Sequence, residues 1–377
     1  MPRRVYFFIC HFDSRNKTGR VNKRTCNRSK NIMKNFTNDN FINILFFLGI
    51  FFLIYALNIF MGTTIFERIV TNLFIYIILV VGLQVFMGNS GILSFAHIGY
   101  MSIGAYCSGI FSIPVKMKSM ALPDLYHFIQ ITTFDPIICI FIGGIFAAIV
   151  AAILTLPLMR LNDAAAVITS FAVLMVIHSI VVGWSAVTNG PRTFFGVPKA
   201  TTLELAMIFC FASVVIAFLY KNSRFGLLLR ATRDNEVAAE SIGANTVYLR
   251  WFAVIVSAFL AGIAGGLWGH FITSFSPKSF YLKETFLVIS MIIIGGSFTV
   301  TGAIAGAIFV TIGYEFLRWT EKVIKFSDAI KFEFIGLTEI VLSITMIIFL
   351  VTKPKGLFPF LEIGEIIKNK FFKKELE

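Results

Sequence analysis

An all-α membrane protein that crosses a bilayer about ten times is the fold class this sequence predicts, and three observations predict it. Apolar residues make up 57% of the 377 residues and charged residues only 14%. Soluble domains average about 25% charged residues, so no aqueous fold could cover so much hydrocarbon surface. Apolar runs of spanning length recur along the whole chain, and the charges fall mainly in the segments between them.

A helix needs about 20 apolar residues to cross some 30 Å of hydrocarbon. Runs near that length lie at 41–60, 69–87, 92–112, 136–158, 165–186, 203–220, 250–273, 285–299, 302–319 and 336–352. The third, eighth and ninth are short or interrupted by glycine, so one or more of them is expected to be half-spanning or re-entrant. Irregular backbone at membrane depth is tolerated only where protein buries it or a cavity hydrates it, which makes these segments candidates for a pathway. Three small-residue pairs, Gly262/Gly266, Gly265/Gly269 and Gly302/Gly306, have the spacing that lets embedded helices approach closely, and packing is the reading they favour.

Residues 41–352 therefore form a transmembrane domain, preceded by a basic tail at 1–40 and followed by another at 353–377. The net charge is +13, of which residues 1–32 carry +8 through nine Lys/Arg and one acid, Asp13. Met33-Lys34-Asn35 reads as an ordinary start, so 1–32 is either an upstream extension foreign to the chain or a basic cytosolic tail. The longest polar interruption, 221–249, holds Lys221, Arg224, Arg230 and Arg233. By the positive-inside rule it lies in the cytosol together with Lys353, Lys355 and the cluster Lys368–Lys374, and ten spans place both termini on that side. Basic residues placed this way serve membrane topology, and nucleic acid is excluded as a partner.

Catalytic motifs are missing. No Gly-Lys dipeptide exists for a Walker A loop and no His-Glu dipeptide for a zinc helix. The five cysteines form no C-x-x-C, and the histidines at 11, 97, 127, 178 and 270 are dispersed, so no metal is expected. Glu204, Glu315 and Glu339 sit near span ends rather than at mid-membrane, leaving no carboxylate chain for proton coupling. Glu315 and Arg318 have the spacing of a helix-face pair.

The segment from Arg230 to Gly243 is the most informative. It reads as a short amphipathic helix with Asp234 as N-cap, Glu236 in the positive first turn and Gly243 as a left-handed C-cap. Val237, Ala238, Ser241 and Ile242 share one small flat face suited to another protein's groove, with Glu236 and Glu240 elsewhere. A second candidate region is the stretch Gly88, Gly91, Ser94, His97 and Gly99, joined by the pair Gly295 and Gly296. There His97 is either a pathway or gating hydrogen-bond donor or a helix-packing histidine satisfied by a neighbouring carbonyl, and packing is favoured. Packing is also favoured for His178 and His270.

Arg230-Ala231-Thr232-Arg233-Asp234-Asn235 followed by Glu236-Val237-Ala238-Ala239-Glu240-Ser241-Ile242-Gly243 resembles the EAA-type loop of ABC importer permeases. More narrowly, the chain is similar to the LivM-type subunit of branched-chain amino acid importers. Gly88 to Tyr106, Thr188 to Pro191 with Gly196 to Pro198, Ser276 to Phe280, Gly295 to Gly306 and Lys353 to Leu357 resemble that family's other signatures, in order, from about 70 to 358. Two departures stand out: Arg160-Leu161-Asn162-Asp163 replaces the usual R-L-R-G, and Gln84 stands where Asn is common. The resemblance implies an ABC importer permease fold and a path for branched-chain or related hydrophobic amino acids; a urea or short-chain amide permease shares the motifs. It also implies no catalytic residue and no cofactor on this chain. ATP is hydrolysed by two cytosolic ATP-binding subunits docked on the 230–243 loop. A homologous second permease completes the path, and a periplasmic or extracellular binding protein delivers substrate. The setting is the bacterial inner membrane.

Overall fold

The length of an uninterrupted apolar run decides which segments become full spans. A computed structural model of the chain describes residues 23–161, 163–326, 337–353, 356–358 and 362. The expectations for the extreme N-terminus and for most of the 353–377 tail lie outside these residues. The chain divides into two units, and the one running from Phe51 to Glu362 holds the bundle described below.

Fifteen α-helices follow one another among the described residues. The first six are α1 (Lys23–Met61), α2 (Thr64–Ser90), α3 (His97–Ser112), α4 (Val115–Ala121), α5 (His127–Ile131) and α6 (Pro136–Thr155). Then come α7 (Asp163–Gly183), α8 (Ser185–Thr188), α9 (Leu203–Asn222), α10 (Arg224–Asp234) and α11 (Glu236–Ser241). The last four are α12 (Thr246–Ile272), α13 (Leu282–Gly295), α14 (Val300–Phe326) and α15 (Leu337–Thr352). Seven of these, α1, α2, α6, α7, α9, α12 and α14, are long and apolar enough to cross a membrane. The other three expected spans are the shorter apolar helices α3, α13 and α15, of 16, 14 and 16 residues. This is an all-α, multi-pass membrane architecture.

The expectation that the third and eighth runs are short is met, and that for the ninth is corrected. Gly302 and Gly306 do not break their helix; α14 continues unbroken for 27 residues. A Cβ on Gly306 would lie 1.9 Å from the Met291 carbonyl oxygen, and one on Gly302 2.5 Å from that of Gly296. These glycines therefore keep the helix hydrogen bonds and serve close approach to α13.

Burial ranks the helices. Of the apolar stretches, 83% of α2 and 72% of α12 are buried against 33% of α7, so α2 and α12 are central and α7 is peripheral. On α6, Ile137, Ile138, Phe141, Ile145 and Ile149 are exposed, an apolar stripe for which water would be an unsuitable neighbour. The α12 helix packs on α6, α3 and α2, while α2 also packs on α9 and α14. The seam of α12 with α3 is made by backbone: a Cβ on Gly104 would sit 2.1 Å from the Gly262 carbonyl oxygen, and one on Gly265 1.9 Å from that of Met101. Packing, the favoured reading of these small residues, is what they do.

Between α2 and α3 the chain turns at Gly91, which adopts φ 79 and ends α2 with its N–H on the Met87 carbonyl at 2.9 Å. The irregular residues that follow are satisfied by side chains: Ile92 N–H donates to Ser90 Oγ at 3.2 Å and Phe95 N–H to Ser170 Oγ at 3.1 Å. Such pairing is what lets non-helical backbone persist inside a bundle.

Candidate functional site: the 224–243 loop and its seat on the bundle

The segment after α9 folds as two helices because its caps are strong. Ser223 Oγ accepts from Gly226 N–H at 3.2 Å and starts α10. The next cap is one residue later than expected. Asp234 is the last residue of α10 and is exposed, while Asn235 caps α11 by accepting from Ala238 N–H at 3.0 Å. Aspartate and asparagine cap equally well, so the choice is made by how far α10 winds before its carbonyls run out. Gly243 does adopt the left-handed conformation, at φ 88. With Gly243 N–H on Glu240 O (2.9 Å) and Ala244 N–H on Ala239 O (3.1 Å), the end of α11 is a Schellman motif.

The faces of α11 divide sharply. Ala239 is buried at 3% exposure, while Val237 is 78% and Ile242 49% exposed, with Ala238 and Ser241 exposed beside them. The charged members point back to the chain: Glu236 pairs with the buried Arg250 at 3.5 Å, and Glu240 accepts from Thr246 Oγ1 at 3.1 Å. An apolar patch is thus presented outward by a helix whose own ends and charges are satisfied within the chain.

Arg230 and Arg233 fasten α10 to the membrane helices. Arg230 Nη2 donates to the Lys221 carbonyl at 2.6 Å, closing the end of α9. Arg233 reaches further. Its Nη1 donates to the Gly88 carbonyl at 2.7 Å, its guanidinium lies 4.7 Å from the Phe298 ring centre, and its methylenes occupy the space a Cβ on Gly91 would need. Gly88 itself abuts the Ser297 carbonyl, which a Cβ would approach to 2.3 Å. The structure therefore brings the two candidate regions into contact, with Gly88, Gly91 and the turn after Gly295-Gly296 forming the seat of Arg233.

The remaining candidates in that region are held by packing. Gly99 faces Ile177, whose Cδ1 a Cβ would meet at 2.9 Å, and Gly295 meets the backbone of Gly302 and Gly306. Ser94 lines a narrow apolar crevice with Phe86, Ile92, Tyr100 and Val254. His97 is bonded through both ring nitrogens, Nδ1 to Ser94 Oγ at 3.1 Å and Nε2 to Ser257 Oγ at 2.5 Å. Ser257 spends its own proton on the Gly82 carbonyl. It must then accept from His97, which fixes the Nε2–H tautomer and leaves Nδ1 to accept from Ser94. The ring ties α3 to α12 and α2, and its partners are serine hydroxyls rather than the neighbouring carbonyl expected. His178 stacks on Tyr281 with ring centres 4.2 Å apart, and His270 Nδ1 bonds the Gly266 carbonyl at 2.8 Å. Glu315 and Arg318 do pair, at 3.5 Å on an exposed face. Among the described residues no cluster of His, Cys, Asp or Glu could hold a metal.

One group was missed by sequence reasoning. Glu362, in what reads as a basic tail, is buried at 6% exposure. It pairs with Lys221 at the end of α9, and it accepts from the N–H groups of Val300 and Thr301 at 3.1 and 3.0 Å and from Thr301 Oγ1. Burial pushes its carboxyl up, but Lys221 and the Thr301 donors outweigh that and hold it below its ordinary value. Elsewhere, Lys118 of α4 is buried and donates to the carbonyls of Ile129 and Thr132 at 3.1 and 2.5 Å; burial lowers its pKa.

A family model described as branched-chain amino acid transport system / permease component matches residues 65–350. The chain belongs to this family. Among its relatives, the high-affinity branched-chain amino acid transport system permease protein LivM of Escherichia coli is 24% identical over 341 residues, covering 81% of this chain and 73% of the relative. The LivM protein of Salmonella typhimurium is 23% identical, over 77% of this chain and 69% of its own length. A probable LivM of Methanocaldococcus jannaschii is 26% identical, over 59% of this chain and 68% of its own. No solved structure matches. The family match spans α2 to α15, so the bundle, the 224–243 loop and the Arg233 seat all lie within it.

Proposed function

We propose that this chain is the permease subunit of an ABC importer for branched-chain amino acids, forming half of the translocation path. The observation that carries the reading is the outward apolar face of α11, Val237, Ala238, Ser241 and Ile242, on a helix tied through Arg233 to the end of α2. A partner groove would cover that face, as amphipathic helices are covered elsewhere. Two cytosolic ATP-binding subunits hydrolyse ATP and press on α11; a second homologous permease completes the path, and an extracytoplasmic binding protein delivers substrate. The subunit resides in the bacterial inner membrane, with the 224–243 loop and both termini in the cytosol, binds no cofactor and performs no catalysis itself. The substrate class rests on the family match and on the branched-chain amino acid transport of the LivM relatives.

The mechanism follows from the seat of Arg233. Motion of α11 carries α10 with it, and Arg233 passes the motion to Gly88 at the foot of α2 and to Phe298 in the turn before α14. Two packings of these elements, closed and open, would be biased by the nucleotide state of the partners. The test is uptake of labelled leucine, isoleucine and valine into vesicles carrying the assembled importer. Uptake is expected only with ATP, and a Val237→Asp/Ile242→Asp variant that still inserts should abolish it. Uptake that persists in that variant refutes the docking role of α11, and ATP-driven uptake of urea but not leucine refutes the substrate.

A further inference from the structure

The turn between α13 and α14 is held from two sides. Arg233 grips it at Phe298, beside Gly88. On the other side lies the segment after α15. Leu357 N–H donates to the Ile294 carbonyl at 3.0 Å, Phe358 N–H to that of Gly295 at 3.0 Å, and the Phe358 carbonyl accepts from Thr299 Oγ1 at 2.7 Å. Gly356 lies so close that a Cβ there would be 2.5 Å from Gly296 Cα. Beyond it the Glu362 carboxylate covers the first N–H groups of α14 and pairs with Lys221. The Lys221 carbonyl is in turn held by Arg230 of α10. A closed chain of contacts results: α10 to Lys221, Lys221 to Glu362, Glu362 to the start of α14, and through Phe298 back to Arg233 of α10.

The geometry points to the contacts of Gly356–Phe358 and of Glu362 as a strap that transmits the motion of the 224–243 loop to the α13–α14 turn, with Glu362 as its positioning residue. A carboxylate at the positive end of a 27-residue helix, buried and matched to a lysine, is held firmly enough to carry force. The N–H groups it covers belong to the helix start that the turn would have to reorient. The strap and Arg233 therefore act in parallel, so the turn follows the loop as one piece. This rests on the importer reading for what drives the loop, but the mechanical linkage itself does not.

Two measurements test it on the full chain. The first is hydrogen exchange of the chain in nanodiscs, comparing wild type, Glu362→Gln and the milder Thr301→Val. The amides of Val300 and Thr301, and also those of α10 on the far side of Lys221, are expected to exchange about tenfold faster or more in Glu362→Gln, the factor for losing a charge-assisted hydrogen bond. Thr301→Val should act in the same direction and less. Acceleration confined to Val300 and Thr301 makes Glu362 a local cap and overturns the strap. The second is substrate moved per ATP hydrolysed by the assembled importer. With Glu362→Gln the subunits should still copurify and hydrolyse ATP while uptake per ATP falls about tenfold, as it does when a coupling contact of this strength is removed. An unchanged ratio overturns the proposal. Failure of the wild-type assembly to take up any substrate would instead sink the importer reading, and the exchange pattern would still decide the strap.

Discussion

The seam between α3 and α12 and the outward face of α11 both carry small or apolar residues and differ in what touches them. In the seam, the space beside Gly104 and Gly265 is filled by backbone of the facing helix, with no room for a methyl group. On α11, Val237 and Ile242 stand exposed beside Ala238, although Ala239 one step away is fully packed. Small residues in the seam are accounted for by contacts within the chain. No contact within the chain covers those on α11, and a partner ATPase is what the proposed function puts there. The first region holds the bundle together; the second is where the proposed drive would enter.

The contrast is sharpened most strongly by Gly104→Val or Gly265→Val. Side chains at these positions would have to displace backbone, and loss of the folded chain is expected, read as aggregation on size-exclusion chromatography after detergent extraction. A folded Gly104→Val protein would mean that the seam is looser than its distances imply. Next is His97→Phe, which keeps the ring but strips partners from the serines it bonds. A loss of about 1–3 kcal/mol is expected in unfolding experiments in detergent. Smaller again is Asn235→Ala, which removes the α11 cap. About 1 kcal/mol of local helix stability should disappear, visible as faster exchange across α11 with the bundle unchanged.

How much of this was legible beforehand differs between the regions for physical reasons. Spanning helices follow from run length, and the packing role of Gly262 and Gly266 follows from their spacing, because both depend on neighbours within one helix. The glycines of α14 misled, since the same residue type that interrupts a helix also admits a close neighbour, and only the position of α13 distinguishes the two. Asp234 and Asn235 are equivalent caps, so the one-residue shift in the start of α11 could not be read from composition. Arg233 and Gly88 are 145 residues apart, and Lys221 and Glu362 are 141 apart. No local pattern pairs them. The only signal for Glu362 was an acid standing just past Gly356-Leu357 at the edge of a basic segment.

The most direct measurement is copurification of the partner ATPase with a Val237→Asp/Ile242→Asp chain, alongside the thermal unfolding of that chain. Exposed positions away from caps and ion pairs change stability by about 0.5 kcal/mol or less. An unaltered unfolding midpoint with the ATPase lost is the expected result. Full retention of the ATPase by an equally stable variant would contradict the account, because the apolar face of α11 would then have no partner to explain it.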